Sequence, residues 1–258
     1  MTWLVNFPDW PMTSPNEAAV TLLPIWALLS ALPEGARRPW HAALRFGLLV
    51  VLIMTQSRSG LVAWSLYLMM SVNWGRWRTL AITLVLLAGA ALFVPATYWE
   101  RLAHTASLRG GSFDAYSSIM RFYSWQSALK SFAHHPILGV GYLGFRFISA
   151  DYNDLHAFVG TESYYFEIAA GMGIIGLVLL ARAIAALFRL GSTVLRNTPS
   201  GTFGHRLAQR HAPLIVALLA ANITGDNFVG MVGLGQLAIW CAILVRSGHL
   251  EVRSPEPS

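Results

Sequence analysis

Charge is what this sequence has least of: 12% of its 258 residues are charged, against 55% that are hydrophobic. A water-soluble domain of this length must cover itself with charged and polar groups, and this chain has too few to do so. That excludes an ordinary soluble globule and leaves lipid as the solvent. Lysine is nearly missing, with Lys130 alone against seventeen arginines. The one cysteine, Cys241, lies inside an apolar run. An internal disulfide and a multi-cysteine metal site are therefore excluded. Residues 1–11 carry no basic stretch and no small-residue cleavage site, so no secretory leader is read there.

What the chain does have is apolar length, with ten Trp and eight Tyr, many beside the ends of apolar runs, as in interfacial belts. Seven runs approach the length that crosses a bilayer core: 17–32, 41–56, 59–73, 78–96, 163–188, 211–224 and 228–246. The sixth is short and holds Pro213, which predicts a tilt or a break. The net charge of +6 could signal nucleic acid. The arginines, however, lie between the apolar runs, which is a topology signal, and no nucleic-acid partner is expected. Arg37, Arg38, Arg76, Arg78, Arg182, Arg189, Arg196, Arg206, Arg210, Arg246 and Arg253 fall on one side if every run crosses once. That side is the cytoplasm. Residues 1–16, the Ser57–Arg58 turn, the loop 97–162 and the turn near Asn222–Asn227 fall on the other. An N-terminus outside, without a signal to export it, predicts further spans upstream.

The fold class expected is an all-α, polytopic transmembrane bundle of about seven spans. It has one long periplasmic loop, 97–162, and a disordered tail, 248–258. In that loop Ile119, Phe122, Trp125, Leu129 and Phe132 recur at helical spacing, predicting an amphipathic helix over 116–132 on the membrane or against the bundle. His134-His135-Pro136 ends it, because proline disfavours a helical residue before it. Gly139, Gly141 and Gly144 predict a tight turn re-entering the membrane surface, since no βαβ unit surrounds them to make a nucleotide site.

Three constellations can carry chemistry. Ser57-Arg58-Ser59 puts a guanidinium where two apolar runs meet with almost no loop. It reads either as an arginine snorkelling to headgroups or as a phosphate-binding arginine with hydroxyl donors beside it. Arg121 lies on the polar side of the surface helix. The stretch Asp151 to Glu167 contains Asp154, His156, Glu162 and Ser163 before Gly171 and Gly173. An acid at or inside a span marks function by default, or else it is neutralised by Arg58 or Arg121. No metal is expected, because no carboxylate or further histidine stands at ligand spacing from His134-His135.

Taken together these motifs resemble the O-antigen ligase and polysaccharide polymerase family of bacterial inner membranes. The carriers are Ser57-Arg58-Ser59-Gly60 after a span, Arg121 with Trp125 and Ala128, and His135-Pro136-Ile137-Leu138-Gly139-Val140-Gly141. A polar stretch entering Gly173-Ile174-Ile175-Gly176 completes the series, and Ser14-Pro15-Asn16-Glu17-Ala18-Ala19 adds a shorter motif. The resemblance covers most of the chain, in order, and suggests the C-terminal portion of a longer protein. It implies a metal-independent glycosyltransferase without a cofactor, multi-pass in the inner membrane, with its active face periplasmic. Its partners would be an undecaprenyl-diphosphate-linked glycan donor, a glycan or lipid-linked acceptor, and membrane lipids.

By this resemblance Arg58 and Arg121, with Ser57 and Ser59, hold the diphosphate. The position where ligases show a histidine followed by asparagine holds Glu162-Ser163, a departure that tilts the reading toward polymerases. Glu162 is the expected base and His156 the alternative. A competing class is a transporter or flippase component for a lipid-linked anion, against which stands the lack of an inverted repeat. An inactive fragment is the third reading.

Overall fold

The computed structural model describes residues 15–33, 35, 38–55, 57–71, 113–153, 160–225, 228 and 231–253. Every regular element among them is helical. The helices are α1 (Pro15–Ala31), α2 (Pro39–Met54), α3 (Arg58–Ser71), α4 (Phe113–His134), α5 (Phe145–Ile148), α6 (Tyr164–Asn197), α7 (Phe203–Ala221) and α8 (Met231–Arg253). A 3-10 turn, Ser149–Tyr152, follows α5. Six helices overlie six of the seven apolar runs, and the run 78–96 lies outside the described residues. Helix α6, of 34 residues, is long and apolar enough to cross a membrane, and only 17% of its most apolar window is buried. That low figure separates it from the core helix of a soluble protein. Helix α2 is apolar but shorter.

Three boundaries differ from the sequence reading. Helix α6 runs on to Asn197, α7 begins at Phe203 and passes through Pro213, and α8 continues to Arg253. Residues 248–253, expected in a disordered tail, are thus helical. The cause is common to all three. Hydropathy marks where lipid stops, whereas helix propensity and backbone hydrogen bonding continue into the polar residues beyond.

The chain forms two compact units. One comprises Met1–Phe93, Ala185–Ala221 and Asn227–Ser258; the other comprises Val94–Ile184 and Asn222–Asp226. In the first unit α1 presents Ala19, Leu23, Ala27 and Ala31, one per turn and all fully buried. Small residues there let helices approach closely: a Cβ on Gly60 of α3 would overlap that of Ala19. Helix α7 packs on both α1 and α3. The Trp64 indole donates to the Ala19 carbonyl at 3.0 Å and meets Trp26 edge-on at 5.1 Å. Arg45, in the middle of apolar α2, donates to the Leu29 carbonyl and lies over the Trp26 ring. An arginine at such depth stands only when partnered in this way. The outward surface is apolar, with Phe46, Val51, Met54, Val62 and Met69 exposed, the distribution expected where lipid is the solvent.

The second unit holds α4, α5, the 3-10 turn and the first half of α6. Ala128, Phe145 and Ala170 make its core, with Val140 and Phe166 packed against them. Helix α4 turns a stripe of small residues inward, Ser124, Ser127, Ala128 and Ser131, and leaves Phe122 and Leu129 exposed. The Ser124 and Ser127 hydroxyls donate back to carbonyls of their own helix, Arg121 and Tyr123.

Candidate functional site

The second unit is organised around a break in α6. Gly173 sits at φ 62° and ψ −155°, which interrupts the helix and strips two amides and two carbonyls of their in-helix partners. The glycine-rich turn supplies all four. The Ile174 amide donates to the Pro136 carbonyl at 2.8 Å and the Ile175 amide to that of Ile137 at 3.4 Å. In return Val140 donates to the Ala170 carbonyl at 3.0 Å and Gly141 to that of Gly171 at 2.8 Å. Glycines make the approach possible. A Cβ on Gly139 would strike the Gly171 backbone, and one on Gly173 would strike the Ile137 carbonyl. Thus Pro136 to Gly141 splints the break with backbone alone.

Above the splint α4 and α6 run side by side. Trp125 stacks on Phe166 at 5.3 Å, and at the top Arg121 Nε donates to Glu162 Oε2 at 2.5 Å. The Arg121 side chain is 26% exposed and that of Glu162 52%, so the pair is open to an incoming ligand. Glu162 has φ 46°, a left-handed conformation that a non-glycine residue holds only when its surroundings impose it. Those surroundings are on either side. The Ser124 hydroxyl shares its one proton between the Arg121 carbonyl and the Thr161 carbonyl, 3.2 Å away, and the Ser163 hydroxyl donates to the Asn222 carbonyl at 3.4 Å. The Tyr164 amide donates to the carbonyls of Asn222 and Gly225, each at 3.1 Å. One turn further in, fully buried Glu167 lies with its Oε2 3.1 Å from the Thr161 hydroxyl.

The other basic candidate belongs to the first unit. Arg58 is the first residue of α3, and Ser57 before it is the cap: its Oγ accepts from the Gly60 amide at 2.9 Å. The same hydroxyl donates to Asn16 Oδ1 at 2.6 Å and lies 3.3 Å from Ser59 Oγ. The Ser57 proton is thus committed to Asn16, and Ser57 and Ser59 are both buried. These serines shape the turn that presents Arg58. His156 lies outside the described residues. Among those described, no three His, Cys, Asp or Glu side chains gather in a way that could hold a metal ion.

Of the predicted site residues, then, the structure joins Arg121 to Glu162, and groups Ser57 and Ser59 beside Arg58. Sequence reasoning missed Asn16 as the partner of Ser57, and the Thr161 and Asn222 carbonyls that fix Glu162. Backbone acceptors leave no signature in residue type; only the polar cluster Asn222 to Asn227 at the mouth of a span hinted at them.

The model of a protein family described as O-antigen ligase matches residues 43–181, more than half of the chain. The matched stretch contains Arg58, Arg121, the splint and Glu162. No curated protein matches the chain significantly.

Proposed function

The chain belongs to the O-antigen ligase family, and on that premise we propose that it is a membrane glycosyltransferase of surface-polysaccharide biosynthesis. It polymerises or ligates oligosaccharides carried on undecaprenyl diphosphate, at the periplasmic face of the bacterial inner membrane. The observation that carries this reading is the Arg121–Glu162 pair, a carboxylate held ready beside a guanidinium at the head of α6, which is long and apolar enough to cross a membrane.

In this reading Glu162 accepts the proton of an acceptor hydroxyl as that oxygen bonds to the anomeric carbon of the donor. The bond from the anomeric carbon to the phosphate oxygen breaks, and the diphosphate departs with the electron pair. Arg121 gives its Nε edge to Glu162, which leaves its Nη groups to meet the developing phosphate charge. Arg58, presented at the start of α3, is by the family resemblance a further candidate for binding diphosphate. Glu162 takes the role of base because its side chain is exposed, paired and aimed by an imposed backbone conformation, whereas Glu167 is enclosed.

Complementation tests this. In a strain lacking its own polymerase or ligase, the chain, or a longer protein that contains it, should restore long glycans on a gel. Arg58→Ala and Glu162→Ala should each abolish them while membrane insertion persists. If both variants restore the ladder, these residues do no transfer chemistry. Accumulation of donor on the cytoplasmic side alone would instead mark a transporter.

A further inference from the structure

We propose that the turn linking α4 to α5 is a lipid-inserted tip, seated in the hydrocarbon of the leaflet at the Tyr164 end of α6. This does not depend on the transfer reading, since it concerns only what the turn touches. Helices α4 and α6 run parallel in a constant register. Arg121 meets Glu162, Trp125 meets Phe166, Ala128 packs with Ala170, and Ile137 is bonded to Ile175. Moving from Arg121 to His134 along α4 therefore means moving down α6 toward its apolar stretch, by about 20 Å at 1.5 Å per residue.

At the bottom the side chains are apolar and point away from the protein. Ile137 is 63% exposed, Leu138 71%, Tyr142 50% and Phe147 79%. Water would not favour four such residues along a dozen positions, and no internal packing needs them out. The bonded neighbour of Ile137 continues the surface: Ile174, Ile175, Val178 and Leu179 of α6 are exposed as well. The tip is thus continuous with the helix face that lipid must cover if α6 spans.

Irregular backbone is tolerated in hydrocarbon only where its polar groups are satisfied by protein. The four exchanged bonds across the Gly173 break meet that requirement at Pro136, Ile137, Val140 and Gly141. Exposed His134, His135 and Arg146 border the tip, groups suited to phosphate headgroups. A leaflet's hydrocarbon is about 15 Å deep. With those groups at headgroup level only the tip enters it, and Arg121 and Glu162 stand about 20 Å away along α4, on the aqueous side.

The test is depth-dependent quenching of the full chain in phosphatidylcholine vesicles. In a Cys241→Ala background, single cysteines Leu138→Cys and Phe147→Cys are labelled with a polarity-sensitive fluorophore. Val178→Cys serves as the lipid reference and Gln126→Cys, exposed higher on α4, as the aqueous one. Blue-shifted emission at 138 and 147, quenched by lipids brominated on the acyl chain as strongly as at 178, is the expected result. Water-like emission at 138, with reactivity toward an impermeant thiol reagent equal to that at 126, overturns the proposal. Protection from that reagent without quenching by brominated lipid also overturns it, and points to a protein surface covering the tip.

Discussion

Arg121 and Glu162 stand 41 positions apart in the chain and meet at 2.5 Å, Nε to Oε2, at the head of two parallel helices. The contact would serve the fold if all it did were to close the loop, and the chemistry if the carboxylate itself receives a proton. Exchanging the two residues separates these roles. Arg121→Glu with Glu162→Arg rebuilds an ion pair, which for an exposed pair is worth about 0.2–1 kcal/mol. It also moves the carboxylate onto α4. The double variant is expected to purify and melt like the parent, yet to lose transfer about 10²–10⁴-fold. Turnover of a lipid-linked donor in proteoliposomes, beside a thermal melt, checks this. Retained turnover in the exchanged protein would make the pair structural.

The splint predicts a graded glycine series. Gly139→Ala and Gly173→Ala each combine a left-handed φ with overlap onto backbone atoms, of Gly171 and Ile137 respectively. Each should cost more than about 2 kcal/mol and reduce the yield of folded protein. Gly141 has φ 98° but open space at its Cβ position, so Gly141→Ala should cost about 1–2 kcal/mol from backbone conformation alone. Thermal stability of the detergent-solubilised protein by size exclusion ranks the three. An equal effect at all three positions would contradict the close approach.

What could be read from the sequence here was set by side chains, and what could not was set by backbone. The apolar runs, the helix over 116–132 and its end before Pro136 were visible because periodicity and proline are properties of residue type. Arg121 and Glu162 were singled out through the family resemblance of the motifs around them. Of the apolar residues at helical spacing on α4, Phe122 and Leu129 point outward, and serines pack inward. Close helix packing selects small residues as readily as large apolar ones, so a hydrophobicity stripe need not mark the packed side. The Gly173 break was hidden, since a glycine in a spanning helix more often only eases packing. Nothing in residue type announces that Pro136 to Gly141 will take over its hydrogen bonds.

At the Arg58 turn the serines and the arginine should respond differently. Ser57→Ala removes the cap on Gly60 and the partner of Asn16, a loss of about 1–2 kcal/mol. It should lower the melting temperature while the surviving folded protein keeps its donor KM. Arg58→Lys keeps the charge but not the planar fork, so it should melt normally and raise the donor KM about tenfold, the equivalent of 1.4 kcal/mol. Steady-state kinetics at two donor concentrations beside a melt separate the cases. A Ser57→Ala protein of normal stability but raised KM would return that hydroxyl to the diphosphate.

A histidine in the first unit gives a packing test independent of any activity. His211 of α7 is buried, its Nε2 2.9 Å from the Leu187 carbonyl of α6 and its Nδ1 accepting from the Trp240 indole of α8 at 2.9 Å. Because the indole can only donate, Nδ1 is the acceptor and Nε2 carries the hydrogen. Bonds on both sides stop the ring from swinging, and its Cδ2 lies where a Cβ on Gly191 would go. Gly191→Ala should therefore destabilise by about 1–3 kcal/mol through overpacking, and His211→Ala by about 2–5 kcal/mol through the lost ring and stranded polar partners. Together they should cost less than their sum, by about 0.5–3 kcal/mol, because the alanine at 211 removes the atoms that the new methyl strikes. Melting temperatures of the four proteins in one detergent measure this coupling. Strict additivity would mean that α6 and α7 do not meet at Gly191 and His211, and the packing of the first unit would have to be redrawn.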